Sequence, residues 1–158
     1  YLGADTLTER KNLARFQKAA ERKGVTLKYR LAASIDDWTA AYEDAQAFDF
    51  VIMGSNSGID DWNDETARQA VLSTTKRISV TNHKWMMPFT LLGLTKVPEE
   101  HGEWAGTAAV HIIKGVKPSD IAIVSNRKWD IWLNEDILTS AGVTLPKRLR
   151  YKAKKVTS

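Results

Sequence analysis

The stretch Phe48-Asp-Phe-Val-Ile-Met-Gly-Ser-Asn-Ser-Gly58 is the part of the sequence that says most about the fold. Residues 48–53 form a short, mostly apolar run, which is typical of a parallel strand buried on both faces. Glycine and a short polar loop follow directly. In parallel α/β sheets, ligands bind outside the carboxyl ends of the strands. The stretch therefore predicts an α/β domain whose loops after the strands carry the function.

Upstream of this stretch the sequence alternates between helix and strand patterns. Thr6 and Glu9 form a capping box, in which each side chain is expected to bond the other residue's backbone amide. Gly24 ends the helix that they begin. Val25–Leu31 alternates apolar and polar residues, which predicts a half-solvated strand. Ser34 then begins a second helix.

Downstream, residues 64–74 predict a helix and Ile78–Thr81 predicts the next strand. Three strand–helix pairs followed by a strand indicate a parallel sheet with right-handed crossovers. The remaining elements are less regular. They are strands at Phe89–Leu94, Ile121–Val124 and Trp129–Leu133, a helix from Pro98 to about Lys114, a short helix from Asn134 to Gly142, and a last basic helix opened by Pro146.

Composition places this chain of 158 residues among ordinary single-domain globular proteins, since 43% of its residues are hydrophobic and 27% are charged. Cysteine is absent, which excludes disulfides and thiolate metal sites. The net charge of +4 comes from a basic tail, Lys147–Lys155. We expect that tail to be a solvated helix face rather than a nucleic-acid surface. Contact with an acidic surface, including anionic lipid headgroups, is the alternative.

Three polar segments follow predicted strands and should meet at one edge of the sheet. Taken singly, each segment suits an ordinary turn or helix cap. Together they predict a binding site, because hydroxyls, amides and helix N-termini there can hold a polar or anionic group. The residues concerned are Asp5, Thr6, Asn56, Ser57, Asn82, His83 and Trp85.

Signals for catalysis are mostly negative. A nucleophile elbow needs serine where Asn56 stands, and no phosphate-binding glycine loop follows a strand. The three histidines, His83, His101 and His111, lack the spacing that binds zinc. We therefore expect no enzyme activity, no cofactor and no metal.

Six tryptophans divide into two groups. Trp38, Trp104, Trp129 and Trp132 lie on predicted inner helix faces or in strand-like runs, so we expect them in the core. Trp62 and Trp85 instead follow binding-edge segments. Each is either a lid on its own domain or a ring that stacks on a ligand.

The C-terminal part resembles a known family. Gly115-Val-Lys-Pro-Ser-Asp-Ile121, with Trp129–Asn134 and the step Gly142-Val-Thr-Leu-Pro146, is similar to the pattern GxKPxDIP…FxLxIN of ABC transporter substrate-binding proteins related to tryptophan-binding lipoproteins. Residues 102–114 match that family's G…AAxILxG helix. The order of the upstream α/β units also fits.

This resemblance implies a type I periplasmic-binding-protein fold, in which two Rossmann-like lobes close over a small ligand. The chain looks like the C-terminal half, and Tyr1 looks like a point inside a longer sequence. Residues 1–84 would form one ligand-binding lobe, residues 85–116 a crossing strand and helix of the other lobe, and residues 117–158 the return segment and basic tail.

The function implied by the resemblance is binding of a small solute and its delivery to the membrane permease of an ABC importer. An extracytoplasmic ligand-sensing domain of a signalling protein is the alternative. The location implied is periplasmic or extracytoplasmic, with or without a lipid anchor. A flavodoxin-like enzyme is the third interpretation, but it would need a cofactor fingerprint. Because half of the cleft would be missing, we expect exposed apolar surface and self-association.

Overall fold

The computed structural model describes residues 1–156 and contains one seven-stranded sheet with the order β2-β1-β3-β4-β5-β6-β7. The strands are β1 (Leu2–Ala4), β2 (Arg30–Ala32), β3 (Phe50–Met53), β4 (Ile78–Thr81), β5 (Leu92–Lys96), β6 (Trp129–Asn134) and β7 (Lys154–Val156). The helices are α1 (Leu7–Arg22), α2 (Ile35–Ala45), α3 (Asp64–Thr74), α4 (Pro98–Ile113), α5 (Glu135–Ala141) and α6 (Lys147–Lys152), with short 3-10 helices at Lys84–Phe89 and Pro118–Asp120.

Strands β1 to β5 are all parallel, as the strand–helix alternation predicts. β6 then runs antiparallel to β5, and β7 pairs in parallel with β6. Five parallel strands place five carboxyl ends at one edge of the sheet. This edge is where the sequence predicts the binding site.

Short polar side chains cap the helices that line this sheet. Thr6 Oγ1 accepts from the Glu9 amide at 3.2 Å, Ser34 Oγ from the Asp37 amide at 3.1 Å, and Asn63 Oδ1 from the Thr66 amide at 2.9 Å. The reciprocal half of the predicted capping box is wrong. The Thr6 amide donates to the Ala4 carbonyl instead, and the Glu9 carboxylate is bonded elsewhere.

The core lies between the sheet and helices α2, α3 and α5. Trp38 and Tyr42 of α2 are completely buried, and their rings stack with centroids 5.6 Å apart. Leu2 and Ala4 of β1 belong to the same cluster. Gly3, between them, lies against the Glu9 side chain of α1. Because successive strand residues point to opposite faces, α1 packs on the other side of the sheet.

The chain from β5 to β6 extends away from this core. Helix α4, which lies wholly within the described residues, buries none of its side chains. Large apolar residues stay exposed along it and along the segments that flank it. They are Leu94, Trp104, Val110, Ile112, Ile113, Val116, Ile123, Val124 and Trp129. The expected exposed apolar surface is therefore present, and the expectation that Trp104 and Trp129 are core residues is wrong.

Two predicted strands do not form as expected. In the predicted Val25–Leu31 strand, only Arg30 and Leu31 are extended in a ladder, because the neighbouring β1 begins at Leu2, opposite Arg30. Ile121–Val124 is irregular and pairs with no described strand. In both places a strand-like sequence lacks the adjacent chain that a strand needs.

The basic tail differs from the predicted solvated helix. α6 ends at Lys152, and β7 then joins the sheet beside β6. Lys154 Nζ lies 2.7 Å from Asp130, and Lys155 Nζ lies 2.9 Å from Glu135. Residues 157–158 of the predicted tail lie outside the described residues. Part of the positive charge is thus neutralised within the fold.

Candidate functional site

The three predicted segments come together at the carboxyl edge of the sheet. The Ala4 amide donates to the Ser55 carbonyl at 2.8 Å, which joins the loop after β1 to the loop after β3. Met53 and Thr81 are opposite each other in β3 and β4, so the loop after β4 starts at the same level. Neighbouring strands lie about 4.8 Å apart, so the segments span about 10 Å across three strands. That span suits one small ligand.

Asp5 and Thr6 lie at the beginning of α1. The Asp5 carboxylate is exposed and forms an ion pair with Arg10 of the same helix. The Thr6 hydroxyl oxygen accepts one bond as the helix cap, which leaves its O–H group and its second lone pair for a ligand. This corner of the edge therefore offers a carboxylate and a guanidinium side by side.

Asn56 and Ser57 lie on the loop after β3. The Ser57 amide donates to Ser55 Oγ at 3.0 Å, and the Asn56 carbonyl accepts from the Ile59 amide at 3.1 Å. Gly58 has a φ of 108°, which is a left-handed conformation that glycine adopts cheaply. These backbone bonds leave the Ser57 side chain exposed and the Asn56 side chain half-buried.

Glu9 fixes the position of this loop from below. Its carboxylate is 1% exposed. Oε2 accepts from the Tyr1 hydroxyl at 2.5 Å and from the Ser55 amide at 3.1 Å, while Oε1 accepts from Asn12 at 3.0 Å. Burial, followed by the hydrogen bond and negative charge of Glu9, raises the pKa of the Tyr1 hydroxyl, which therefore stays a donor.

Sequence reasoning missed this supporting role of Glu9 and assigned the residue only to a helix cap. The signal was present in Gly3 and Gly54, at the ends of two adjacent strands. A Cβ atom at either glycine would come closer to Glu9 Oε2 than real Cβ contacts allow. Two glycines thus make room for one buried carboxylate.

Asn82, His83 and Trp85 lie after β4. Asn82 is exposed, and the His83 amide donates to Thr81 Oγ1 at 3.1 Å. The rings of His83 and Trp85 have centroids 4.5 Å apart and are tilted by 34°. Burial lowers the pKa of His83, and the nearby Glu9 charge partly opposes this. A neutral imidazole and an exposed indole therefore border the edge.

Two tryptophans that follow the edge segments have different surroundings. The Trp62 ring lies 5.0 Å from that of Trp38 and 5.2 Å from that of Phe89, both edge to face. It is a lid on its own core. Trp85 is 55% exposed and remains accessible to a ligand.

Trp132, expected in the core, instead carries charged neighbours. Its Nε1 donates to Thr95 Oγ1 at 2.9 Å, and the Nζ atoms of Lys84 and Lys154 lie 4.8 and 5.2 Å from its ring centroid. Both distances fall within the range of cation–π attraction. The β5–β6 pair is thus held together by side chains as well as by its backbone ladder.

Two grooves among the described residues lie away from the carboxyl edge. One, of about 620 Å³, is at the opposite end of the sheet beside Tyr1. The other, of about 470 Å³, lies between α4 and residues 124–128. The edge by itself is an open surface that lacks a facing wall.

Metal and membrane signals give no further site. In residues 1–156, no group of three or more His, Cys, Asp or Glu side chains is arranged to hold a metal ion. Across the same residues, none of the helices has the length and apolar character needed to cross a bilayer.

Three solved structures share this fold. The ABC domain from Streptococcus pneumoniae in complex with L-Trp is 17% identical with a TM-score of 0.65, and a ligand-free, open substrate-binding protein with adhesive properties from Clostridium difficile is 15% identical with a TM-score of 0.75. A conserved domain protein from Vibrio cholerae is 14% identical with a TM-score of 0.63. No family model and no curated protein sequence matches the chain.

Each alignment covers 99% of this chain but only 54%, 54% and 53% of the respective solved chain. The chain thus spans about half the length of the structures that it matches. Its fold is that of substrate-binding proteins, and its seven-stranded sheet corresponds to half of such a molecule.

Proposed function

We propose that the chain is one half of a two-lobed solute-binding protein and provides one wall of the ligand cleft. The observation that carries this proposal is the position of the polar loops. They cluster at the carboxyl edge of a parallel sheet, which is where ligands bind in this class of fold. The solved structures with the same fold include one that holds L-Trp and one described as a substrate-binding protein.

The size of the exposed surface supports the proposal that a second lobe packs against this one. The chain exposes 10,099 Å². A compact monomer of 17.7 kDa exposes about 7,900 Å², so the excess is about 2,200 Å². Obligate interfaces bury about 1,000 Å² or more from each partner. The apolar residues of α4 and its flanking segments belong to this excess, and a second lobe packed on them would cover it.

The proposed ligand is a small zwitterion or polar ring compound, such as an amino acid. Asp5 can accept from an ammonium group, and the amides at the start of α1 together with Arg10 can hold a carboxylate. The amide groups of Asn56 and Asn82 add neutral hydrogen-bonding groups. Trp85 supplies an exposed ring for stacking.

In this proposal the protein performs no chemistry and delivers its solute to the membrane permease of an ABC importer, in the periplasm or another extracytoplasmic space. The sensing-domain alternative uses the same cleft and differs only in the partner. No contact of this chain with nucleic acid is proposed, because the basic tail carries the single aromatic Tyr151 and offers no stacking platform.

The test is a titration of the isotope-labelled 158-residue chain with amino acids, sugars and nucleosides, followed by amide chemical shifts. Shifts should concentrate at residues 5–6, 56–57 and 82–85. The single variants Asn56→Ala and Asn82→Ala should each weaken binding of the best ligand by about 2- to 12-fold, because one hydrogen bond at an open edge contributes about 0.5–1.5 kcal/mol. Gln69→Ala, on the exposed face of α3, is the matched control.

Two outcomes count against the proposal. Shifts confined to the groove beside Tyr1 would move the site to the other end of the sheet. Equal affinity in wild type and both asparagine variants would remove the proposed residues from the site.

A further inference from the structure

The short helix α6 carries a dense group of positive charges that the fold leaves uncompensated. Within residues 1–156, its four cations are exposed and form no ion pair or side-chain hydrogen bond. They are Lys147, Arg148, Arg150 and Lys152. The two lysines that follow differ, because both Lys154 and Lys155 lie in ion pairs with acidic residues of the fold. The free charge is therefore concentrated on one turn and a half of helix.

Apolar contacts hold this helix in a fixed orientation. Leu145, Leu149 and Ala153 recur every four residues along it, a spacing that places side chains on one helical face. Leu145 and Ala153 are buried, and Leu149 packs against the hydrophobic core. The Ala153 amide donates to the Leu149 carbonyl at 3.0 Å, which closes the last turn. The four cations therefore lie on the solvent side of a helix that is anchored to the fold.

Tyr151 lies among these cations and is 92% exposed. Tyrosine is enriched where a membrane meets water, because its ring is apolar and its hydroxyl is polar. Within α6 it is the single exposed large apolar residue. Protein–protein interfaces are built around a larger apolar centre. The composition of this surface therefore fits a layer of charged headgroups better than a protein partner.

The rest of the chain carries charge of the opposite sign. Without the six basic residues of 147–155, 17 Lys and Arg remain against 19 Asp and Glu. Residues 31–67, which include α2, hold nine Asp and Glu and no Lys or Arg. An anionic surface would attract α6 and repel this acidic segment. The charge distribution therefore favours one orientation of the molecule on such a surface.

The strand register places α6 near the binding edge. Lys154, the first residue of β7, is paired with Trp132 of β6. Trp132 is paired with Gly93, and Gly93 with Thr81 at the end of β4. Three strand spacings, or about 14 Å, separate β7 from β4 at this level. Lys84, from the segment after β4, and Lys154 lie over the same Trp132 ring, with Nζ atoms 4.8 and 5.2 Å from its centroid.

We propose that α6 docks the protein on a bilayer surface rich in anionic phospholipid. The four cations bind phosphodiester groups of the headgroups, and the Tyr151 ring enters the headgroup layer. The contact is peripheral and electrostatic, because a helix of six residues has little apolar face to insert. It would hold the binding edge close to the membrane. The proposal goes beyond solute binding and requires no bound solute, so the two can fail separately.

The test measures co-sedimentation of the 158-residue chain with sucrose-loaded vesicles at about 0.1 M salt. Protein that pellets without vesicles is subtracted. Each basic residue near an anionic bilayer strengthens binding about 5-fold. Vesicles of phosphatidylglycerol and phosphatidylcholine in equal parts should therefore bind the chain about 100-fold or more tightly than phosphatidylcholine alone. At about 1 M salt, where charges are screened beyond about 3 Å, the difference should disappear.

Two fourfold variants separate the α6 surface from net charge. The first replaces the four cations of α6 with Gln and should bind both kinds of vesicle equally weakly. The matched control removes four exposed cations from α1, and should change the affinity less than about 5-fold, the contribution of one residue at the surface. Its substitutions are Lys11→Gln, Arg15→Gln, Lys18→Gln and Arg22→Gln. Both variants lose the same charge and alter exposed helix positions, so both should keep the wild-type melting temperature.

A charge-conserving variant distinguishes a bilayer from an acidic protein. Arg148→Lys combined with Arg150→Lys should keep the vesicle affinity within about 3-fold, because a fluid headgroup layer does not require the planar guanidinium. A large loss in this variant would instead assign the surface to carboxylates held in fixed positions by a protein. Equal losses in the α6 and α1 fourfold variants would overturn the proposal. So would equal binding of the wild-type chain to vesicles with and without phosphatidylglycerol.

Discussion

Glu9 offers the sharpest test of how the fold positions the candidate site. Its carboxylate is buried between α1 and the sheet and accepts from Tyr1, Ser55 and Asn12. The bond from the Ser55 amide matters most for the proposed site, because Ser55 begins the loop that carries Asn56 and Ser57. Substitution of Glu9 should therefore affect both stability and the conformation of this loop.

The cost can be worked from the three hydrogen bonds. In Glu9→Gln, a carbonyl oxygen can replace Oε2 and keep the Tyr1 and Ser55 donors, while the new amide faces Asn12, which can turn its own oxygen toward it. The substitution removes the extra strength that the negative charge gives to each hydrogen bond, about 1 kcal/mol per bond. The free energy of unfolding should therefore fall by roughly 1–3 kcal/mol. Glu9→Ala leaves buried donors without an acceptor and should cost about 3–5 kcal/mol.

The same substitution has a signed electrostatic consequence. The Glu9 charge raises the pKa of His83 against the larger lowering effect of burial. Removing that charge in Glu9→Gln should therefore lower the pKa of His83 further. A matched control is Glu65→Gln, which removes an exposed carboxylate on α3 that pairs with Arg68.

Denaturant unfolding measures the first effect, and an NMR titration of the His83 ring measures the second. Glu65→Gln should leave the His83 pKa unchanged and alter stability by less than about 0.5 kcal/mol. A Glu9→Gln variant as stable as the wild type, or more stable, would mean that desolvation of the carboxylate outweighs its bonds. A His83 pKa that rises in this variant would refute the electrostatic part of the reasoning.

Three further predictions concern other parts of the molecule. Asn134→Ala should cost about 2–4 kcal/mol in urea unfolding, because buried Asn134 donates to the Met87 carbonyl and caps α5; a loss below about 1 kcal/mol would contradict this. Backbone hydrogen bonds from Lys128 and Arg127 lower the pKa of Glu100. The hydrogen-exchange protection of these two amides should therefore persist above pH 4.5 and fall as the pH drops through the depressed folded-state pKa of Glu100. Protection that rises on acidification would contradict this prediction. The chain should self-associate in sedimentation as its concentration rises, and Ile113→Ser, at an 84% exposed position, should weaken this, whereas a wild-type monomer at millimolar concentration would contradict the role given to the α4 surface.

The parallel part of the sheet was predictable because its signals are local. Apolar runs, helix caps and glycine stops all act within a few residues of each other, and the predicted order of strands and helices through β4 is confirmed. Residues 25–29 and 121–124 were predicted wrongly for one physical reason. Alternation or an apolar run shows that a segment can form a strand, but a ladder also needs an adjacent chain. No local pattern states whether that chain is present.

The candidate site was likewise predictable only in part. The edge itself follows from topology, since parallel strands put their carboxyl ends together, so the meeting of the loops after β1, β3 and β4 could be predicted. The Asp5–Arg10 ion pair and the burial of Glu9 could not. The ion pair depends on side-chain conformations at the start of α1, and the burial of Glu9 depends on a close approach of its carboxylate to Gly3 and Gly54.

The relation between the edge and the exposed helix α4 can be argued from strand lengths. Thr81, the last residue of β4, lies opposite Gly93, and β5 continues to Lys96. Three residues of β5 thus project about 10 Å beyond the binding edge. β6 pairs with all of them, and the bond from Trp132 Nε1 to Thr95 Oγ1 stiffens the pair. The β5–β6 pair therefore extends beyond the carboxyl ends of the parallel strands before the chain enters α4.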